Sequence, residues 1–440
     1  MKKYLALFLA LVMTLALVAC GGGNSSSSGT SAPADTSSAP SGGGDAAAPA
    51  ETSGGKLKVG IVLVGDENEG YTFAHIDGIR KAAAAVGLSD SDLVWFYNIP
   101  ENEECYDKCS ECVEAGCNLV ITNSYGHQTY CQQAAEENPD VQFVAMTGDG
   151  ALKSGLPNFH NAFNMTFESR YVSGIVAGMK LKEMVDAGLV TDPYIGYVGA
   201  FPYAEVVSGY TGFFLGIKSI VPEAHMDVQY TNSWFNIQDE GKAAEALMAR
   251  GCCIIGQHAD STGAPKAVQT AKDNGKAVYS VGYNIDMLAA APTAALTSSS
   301  NDWSVFYTEA FQTLLDGGTI PTDWSKGYEA GAVYITPLGP EVAEGTKEAV
   351  DAAEAAIKAG TLHVFDTGTF TLNNAVGTKF DDGSWKIDSD GHATTAFTFD
   401  SDGNWVNDTN EGIVDGYYHE SEYISAPSFG LRIDGITELN

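Results

Sequence analysis

The sequence is short of positive charge: 23 Lys and Arg stand against 56 Asp and Glu, a formal net charge of -33, and no basic block interrupts the acidity. Nucleic acid and anionic lipid headgroups are recognised through cationic patches, so neither is expected as a partner. Catalytic signatures are also missing. Gly60, Gly65 and Gly70 punctuate the first strand and its loop without making a dinucleotide or phosphate-cradling fingerprint. His258 and Asp260 lie two residues apart, but no activated serine and no further ligand spacing accompanies them, so they read as hydrogen-bonding groups rather than a catalytic or metal pair. No enzyme, no cofactor and no metal site is therefore expected.

The cysteines lack a pattern as well. Beyond Cys20 there are seven, Cys105, Cys109, Cys112, Cys117, Cys131, Cys252 and Cys253, and an odd set cannot pair completely. The spacing from Cys105 to Cys117 fits no two-by-two zinc arrangement, and small buried hydrophobes are the better reading.

What is present begins at the N-terminus. Lys2 and Lys3 precede an apolar run from Tyr4 to Val18, too short for an ordinary transmembrane helix, which leads into Leu17-Val18-Ala19-Cys20. The order is that of a secretory signal with a lipobox, so residues 1–19 are expected to be a signal peptide and Cys20 a lipidated N-terminus. Residues 20–55 are almost only Gly, Ser, Ala, Pro, Thr and acid, a composition with little to bury. As a flexible coil this tether would span roughly 30 Å, holding a domain clear of a membrane on its extracytoplasmic face.

Beyond the tether, short apolar runs alternate with helical stretches, the pattern of a parallel sheet covered on both faces. Strands are expected at Lys58–Val64, Leu93–Tyr97, Asn118–Thr122 and Gln142–Met146, with helices around Thr72–Val86, Glu103–Ala115 and Gln128–Glu137. A long helix over Glu168–Ala187 carries one apolar stripe through Tyr171, Ile175, Met179 and Val185, and its Gly174 and Gly178 permit close packing. The alternation then restarts, with strands at Tyr194–Gly199, Asp227–Thr231, Cys253–Gly256, Ala277–Val281 and Ala294–Thr297 and helices near Ala204–Ile220, Gln238–Arg250 and Ala264–Asn274. Two α/β runs of similar length make two lobes, and a gap between lobes is a preferred place for a small ligand. Residues 361–440 change texture to Gly, Asp, Thr and aromatics, a β-rich extension with Asp-Gly hairpin turns; turns are preferred over calcium at Asp388, Asp390, Asp400 and Asp402, since the closing Glu is missing.

Three stretches carry a resemblance. Phe167-Glu168-Ser169-Arg170-Tyr171 runs on to Lys180 through Gly174 and Gly178. Ile195-Gly196-Tyr197-Val198-Gly199-Ala200-Phe201-Pro202 continues through Gly209 to Gly216. Gln257-His258-Ala259-Asp260-Ser261-Thr262-Gly263 is followed by Val281-Gly282-Tyr283-Asn284-Ile285-Asp286. Together they resemble the basic membrane protein family of substrate-binding lipoproteins, which includes purine nucleoside receptors.

The resemblance implies a type I periplasmic-binding-protein fold: two Rossmann-like lobes, 57–163 plus 299–325 and 164–298 plus 326–360, closing on a small molecule and docking on an ABC permease. Because ligands bind beyond the carboxyl ends of parallel strands, the expected binding residues are Tyr71, Phe73, Asn123 and Tyr125 on the first lobe and Phe201, Trp234, His258, Asp260, Asn284 and Asp286 on the second. Aromatic rings would sandwich a planar base and polar side chains would read its edge. The sequence departs from the nucleoside-binding branch at Thr147, where that branch has an aspartate, and at Asn301, Asp302 and Trp303, near its lysine. A purine nucleobase or nucleoside ranks first, adenine-like purines foremost; a sugar or riboflavin-like vitamin is the alternative ligand. A surface-exposed structural or adhesive lipoprotein working through its extension is the alternative role.

Overall fold

The computed structural model describes residues 56–373, 385–396 and 412–440. Cys20, the expected signal peptide and the expected tether lie outside these residues, as do Asp400 and Asp402. No helix among the described residues is long and apolar enough to cross a membrane.

The chain opens with β1 (Val59–Val62), α1 (Gly70–Val86), β2 (Leu93–Phe96), α2 (Glu103–Glu114), β3 (Leu119–Thr122), α3 (Gln128–Glu137), β4 (Gln142–Met146), α4 (Ala151–Ser154) and β5 (Phe159–Ala162). A long α5 (Thr166–Asp186) leads to the second run: β6 (Tyr194–Gly199), α6 (Ala204–Lys218), β7 (His225–Tyr230), α7 (Ile237–Ala249), β8 (Ile254–Gln257), α8 (Gly263–Asp273), β9 (Tyr279–Tyr283) and β10 (Ala295–Asn301). Then come α9 (Ser304–Leu315), β11 (Asp323–Trp324), β12 (Val333–Ile335) and α10 (Thr346–Lys358). The hairpin strands β13 (Trp385–Ile387), β14 (Ala393–Ala396), β15 (Ile413–Val414) and β16 (Tyr417–Tyr418) follow, and β17 (Ile436–Glu438) ends the chain.

Two sheets form the lobes. One is ordered β11-β5-β4-β3-β1-β2 and parallel throughout; the other is ordered β12-β10-β9-β8-β6-β7-β17 and parallel except for β12. Strand residues alternate between two apolar clusters: Val59 and Ile61 face one helix layer and Val62 the other, while Ile195 and Tyr197 are separated from Val198 in the same way. Burial on both faces explains why the strands read as continuous apolar runs. Every strand and helix expected between Lys58 and Thr297 forms, with ends shifted by up to four residues. β5 escapes a reading by apolarity because it is Phe-His-Asn-Ala. Its polar pair is nonetheless buried and partnered, His160 with the Pro321 carbonyl at 3.0 Å and Asn161 with the Ala145 carbonyl at 2.9 Å.

The helix α5 is more deeply set than one apolar stripe implies: fourteen of its 21 residues are buried, because α6, β10 and α10 all pack on it. Its glycines are required. A Cβ on Gly174 would stand 2.1 Å from the Phe213 carbonyl oxygen of α6, and one on Gly216 of α6 would stand 2.1 Å from the Tyr171 carbonyl oxygen.

The chain crosses between lobes after β5, after β10 and between β11 and β12, and the crossings are laced together. Phe163 and Met165 donate backbone N–H groups to Trp324 and Lys326 carbonyls at 3.0 and 2.9 Å. Buried Asn164 donates to the Ala332 carbonyl at 3.0 Å, and Thr166 Oγ1 to Asn301 Oδ1 at 2.8 Å. The C-terminal segment adds a further crossing. Ser425 binds the Asp323 carboxylate on β11 through both its amide (2.6 Å) and its hydroxyl (2.5 Å), Phe429 is buried in the apolar core of the second lobe, and β17 extends that lobe's sheet beside β7. At Asp388 the side chain caps a tight turn, accepting from the Asp390 and His392 amides. All seven cysteines beyond Cys20 are unpaired and buried in the apolar clusters.

Candidate functional site: the cleft between the lobes

In each sheet the order of strands reverses once, at β1/β3 in the first and at β6/β8 in the second. A crevice opens beyond the carboxyl ends of parallel strands at such a reversal. Here the two crevices face each other and enclose a cleft of about 620 Å³, lined by the loops after β1, β3, β6 and β8 among others. The lobes are in contact across it: a Cβ built on Gly70, at the start of α1, would lie 3.4 Å from the Asp260 carbonyl oxygen of the other lobe. The Tyr125 and Tyr203 rings, one from each lobe, have centroids 6.1 Å apart.

On the first lobe Tyr71 lines the cleft, its hydroxyl donating to the Asn123 carbonyl and lying 3.4 Å from Thr147 Oγ1. Behind it runs a polar chain. Asn123, wholly buried, accepts the Val64 amide at 2.8 Å and donates to Thr72 Oγ1 at 3.2 Å, and Thr72 donates to Glu69. Glu69 faces the cleft, and burial raises its carboxyl above the usual range against the opposing pull of the Thr72 hydrogen bonds. Tyr71 also stands edge-on to His75, centroids 4.5 Å apart, and His75 stacks on Trp303.

On the second lobe Phe201 stacks on Tyr203 at 5.1 Å and meets Trp234 edge-on at the same distance. Asp260 lines the cleft at 5% exposure and accepts from Asn284 Nδ2 at 2.7 Å. Burial pushes the Asp260 carboxyl well above its usual range; the nearby Glu69, Glu240 and Glu205 charges add to that, and Arg170 opposes it. Arg170 sits behind the cleft wall, its guanidinium 3.6 Å over the Tyr283 ring and its Nη1 on the Gln257 carbonyl at 2.6 Å. Glu240 braces two lining loops at once, accepting from the Asn236 amide at 2.9 Å and the Ser261 amide at 3.1 Å.

Four non-glycine residues in the left-handed region follow strand ends: Asn98 after β2, Thr147 after β4, Asn232 after β7 and Asn284 after β9. The first three line the cleft. Thr147, β-branched at φ 60°, is the costliest, and such strain concentrates where a ligand is held.

Of the residues expected to bind, Tyr71, Tyr125, Phe201, Trp234 and Asp260 line the cleft. Asn123, His258 and Asn284 lie one layer behind it. His258 is 2% exposed, takes Glu205 Oε1 at 2.5 Å and approaches Tyr283 at 5.1 Å, and burial holds its pKa down. Gly209 makes room for it, since a Cβ there would meet the imidazole at 2.7 Å. Phe73 and Asp286 do not belong to the site. Two residues along a helix is about 200°, so Phe73 points away from the cleft when Tyr71 points in, and it is 42% exposed. Asp286 instead caps a short turn, accepting the Leu288 amide at 2.8 Å, and is exposed. Residues absent from the expected set include Phe163, Tyr203, Glu205, Asn98 and Asn232; all follow a strand, so the strand-end rule applied to β2, β5 and β7 would have found most of them. Ala426 and Pro427 also line the cleft, brought in by the C-terminal crossing, and no local sequence signal announces them.

A family model described as ABC transporter substrate-binding protein, PnrA-like, matches residues 56–362. The chain belongs to that family. Its role is therefore that of a substrate-binding component of an ABC transporter, a family of solute binders rather than of enzymes. Among curated members, a purine-binding protein of Brucella abortus is 31% identical over 70% of this chain and 83% of its own length. A putative ABC transporter glucose-binding protein of Haloferax volcanii is 29% identical over 68% of this chain and 72% of its own length. Solved solute-binding proteins share the two-lobed fold: one from Conexibacter woesei superposes with a TM-score of 0.57 at 20% identity, covering 70% of this chain and 98% of that one. One from Aeropyrum pernix K1 gives 0.59 at 13% identity, covering 74% and 95%. The family model ends before the C-terminal segment that supplies Ala426 and Pro427.

Proposed function

We propose that the chain captures a planar metabolite, a purine nucleobase or nucleoside, by closure of its two lobes, and delivers it to an ABC permease from a lipid anchor at Cys20 on the extracytoplasmic face of the membrane. The observation that carries this reading is the meeting of aromatic rings from both lobes, Tyr71 and Tyr125 from one and Phe201, Tyr203 and Trp234 from the other, around carboxylate and amide groups in one cleft. Stacking on such rings contributes on the order of 1–3 kcal/mol per base. The purine-binding relative, matched over 312 residues, adds support.

Lobe closure follows from where the ligand sits: a molecule touching both walls is bound only when they approach, so it favours the closed arrangement that a permease can recognise. The test is a thermal melt of the mature protein against nucleobases, nucleosides, sugars and flavins. A ligand that binds only the folded state raises the melting temperature by mass action. A saturable rise with purines supports the reading; a rise with a sugar alone, or no rise with any compound, overturns it. The anchor is tested separately by labelling cells with a palmitate analogue, where label lost in Cys20→Ala supports lipidation.

A further inference from the structure

None of the cysteines lines the cleft, yet two of them are brought together by the way a helix ends. The helix α2 stops in a Schellman turn: Gly116, in the left-handed region at φ 82°, donates its amide to the Val113 carbonyl at 2.9 Å, and Cys117 donates its own to the Cys112 carbonyl at 3.0 Å. Such a turn sets the side chains of its first and last residues against each other, commonly as an apolar contact. Here both are cysteines. Given standard bond lengths, the 3.0 Å hydrogen bond holds the two Cα atoms within about 7 Å, the reach of a disulfide.

The sulfurs converge as well. Gly60 on β1 leaves them room, since a Cβ there would lie 2.4 Å from Cys112 Sγ and 3.5 Å from Cys117 Sγ. The Cys112 thiol donates to the Cys117 sulfur, which holds Cys117 below the usual thiol range; burial opposes this and the Lys58 charge adds to it. Lys58 is fixed there by its bond to the Ala115 carbonyl at 2.6 Å. Cys112, as the donor, is raised. The remaining thiols are placed differently. Cys252 and Cys253 are neighbours in the chain that face two different apolar clusters, while Cys105 and Cys109 lie on consecutive turns of α2 and Cys131 on α3.

We propose that Cys112 and Cys117 are a redox pair that closes to a disulfide outside the cytoplasm, where small-molecule disulfides serve as oxidants. The Cys117 thiolate attacks such a disulfide, forming a mixed disulfide and expelling one thiolate; the Cys112 sulfur then attacks Cys117 and expels the second. The two electrons pass to the oxidant, and the two thiol protons leave with the two thiols released. The bridge staples the end of α2 to the entry of β3. It sits toward the amino ends of β1 and β3, at the opposite end of the strands from the cleft, and leaves ligand binding unchanged.

Refolding the mature chain carrying Cys20→Ala in a mixture of oxidised and reduced glutathione, so that burial shields no thiol, tests this. After denaturation and alkylation, two of the seven thiols should be unreactive, and peptide mapping should join Cys112 to Cys117. Cys112→Ala and Cys117→Ala should each leave every remaining thiol open to alkylation. The oxidised parent should melt a few degrees above its reduced form, a rise absent from both variants. Seven alkylated thiols, a bridge between any other two cysteines, or glutathione retained on Cys117 overturns the pairing. No ligand enters these measurements, so their failure leaves the capture reading standing.

Discussion

Asn284, held in the left-handed region at φ 61°, donates its side-chain amide to Asp260 Oδ1 at 2.7 Å and so ties the loop after β9 to the loop after β8. The two roles of Asn284 can be separated. Asn and Gly tolerate the left-handed region, whereas Ala pays about 1–2 kcal/mol there. Asn284→Ala is therefore expected to lower both stability and ligand affinity, while Asn284→Gly keeps most of the stability and still loses about tenfold in affinity, because Asp260 is no longer oriented. Urea unfolding and titration calorimetry on the two variants check this; equal affinities for Asn284→Gly and the parent protein would remove Asn284 from the positioning of Asp260.

The contact between Gly70 and the opposite lobe predicts a wedge. Gly70 is not at positive φ, so a larger residue is tolerated by the backbone of α1. Its side chain, however, would enter space bounded by Ile285 Cγ1 at 3.3 Å and the Asp260 carbonyl at 3.4 Å. Gly70→Leu should hold the lobes apart, raise the radius of gyration of the liganded protein in small-angle scattering and weaken binding by at least about tenfold, since closure then costs more than 1.4 kcal/mol extra. A scattering profile identical to that of the closed parent would show that the lobes do not need this contact.

Much of the fold was legible because buried parallel strands announce themselves as apolar runs between helices of regular period. Sites were legible only as far as strand ends were. Asp260 and Asp286 look alike in sequence, each a carboxylate just past a strand, yet one faces the cleft and the other caps a turn, a difference set by the loop's backbone path. Tyr71 and Phe73 share a motif but not a helix face. Ala426 and Pro427 lie far from the other lining residues in the chain, and they are brought in by the Ser425 to Asp323 bonds, the packing of Ile424 and Ala426 in the first lobe's core and the burial of Phe429.

That C-terminal crossing should be part of the folded unit. Phe429 is wholly buried and stacks on Phe365 at 4.2 Å, while Glu420 accepts its amide at 2.7 Å. Phe429→Ala is expected to cost about 3–5 kcal/mol and to lower ligand affinity through the displaced Ala426 and Pro427 wall. The check is a chemical melt followed by Trp fluorescence together with a titration. A variant destabilised by less than 1 kcal/mol (about the scale of an ordinary surface change) would mean that the segment packs loosely and the family's lobes suffice without it.

His75 gives the pH prediction. It is buried under Tyr71, stacked on Trp303 at 4.4 Å, with Nδ1 on the Tyr307 hydroxyl at 2.6 Å and Nε2 without a partner. Burial lowers its pKa from 6.5 to about 3. Between those values the unfolded chain binds a proton that the folded chain refuses, so the stability His75 confers is complete above pH 6.5 and declines as the pH falls toward 3. His160, lowered to about 4 by burial, acts in the same direction. Glu168 and Glu240, raised to about 7 by burial, act in the opposite one, since the folded form holds the extra proton as pH drops from 7 toward 4.5. These opposing groups titrate in overlapping ranges, so only a variant isolates the histidine. His75→Phe loses the Tyr307 partner and should be less stable than the parent by about 1–3 kcal/mol at pH 7.5. By pH 5 the parent has lost about 2 kcal/mol that the variant never had, so the gap should close or reverse. Urea melts at the two values measure it, and a gap that stays constant would mean that His75 takes up its proton in the folded state as readily as in the unfolded one.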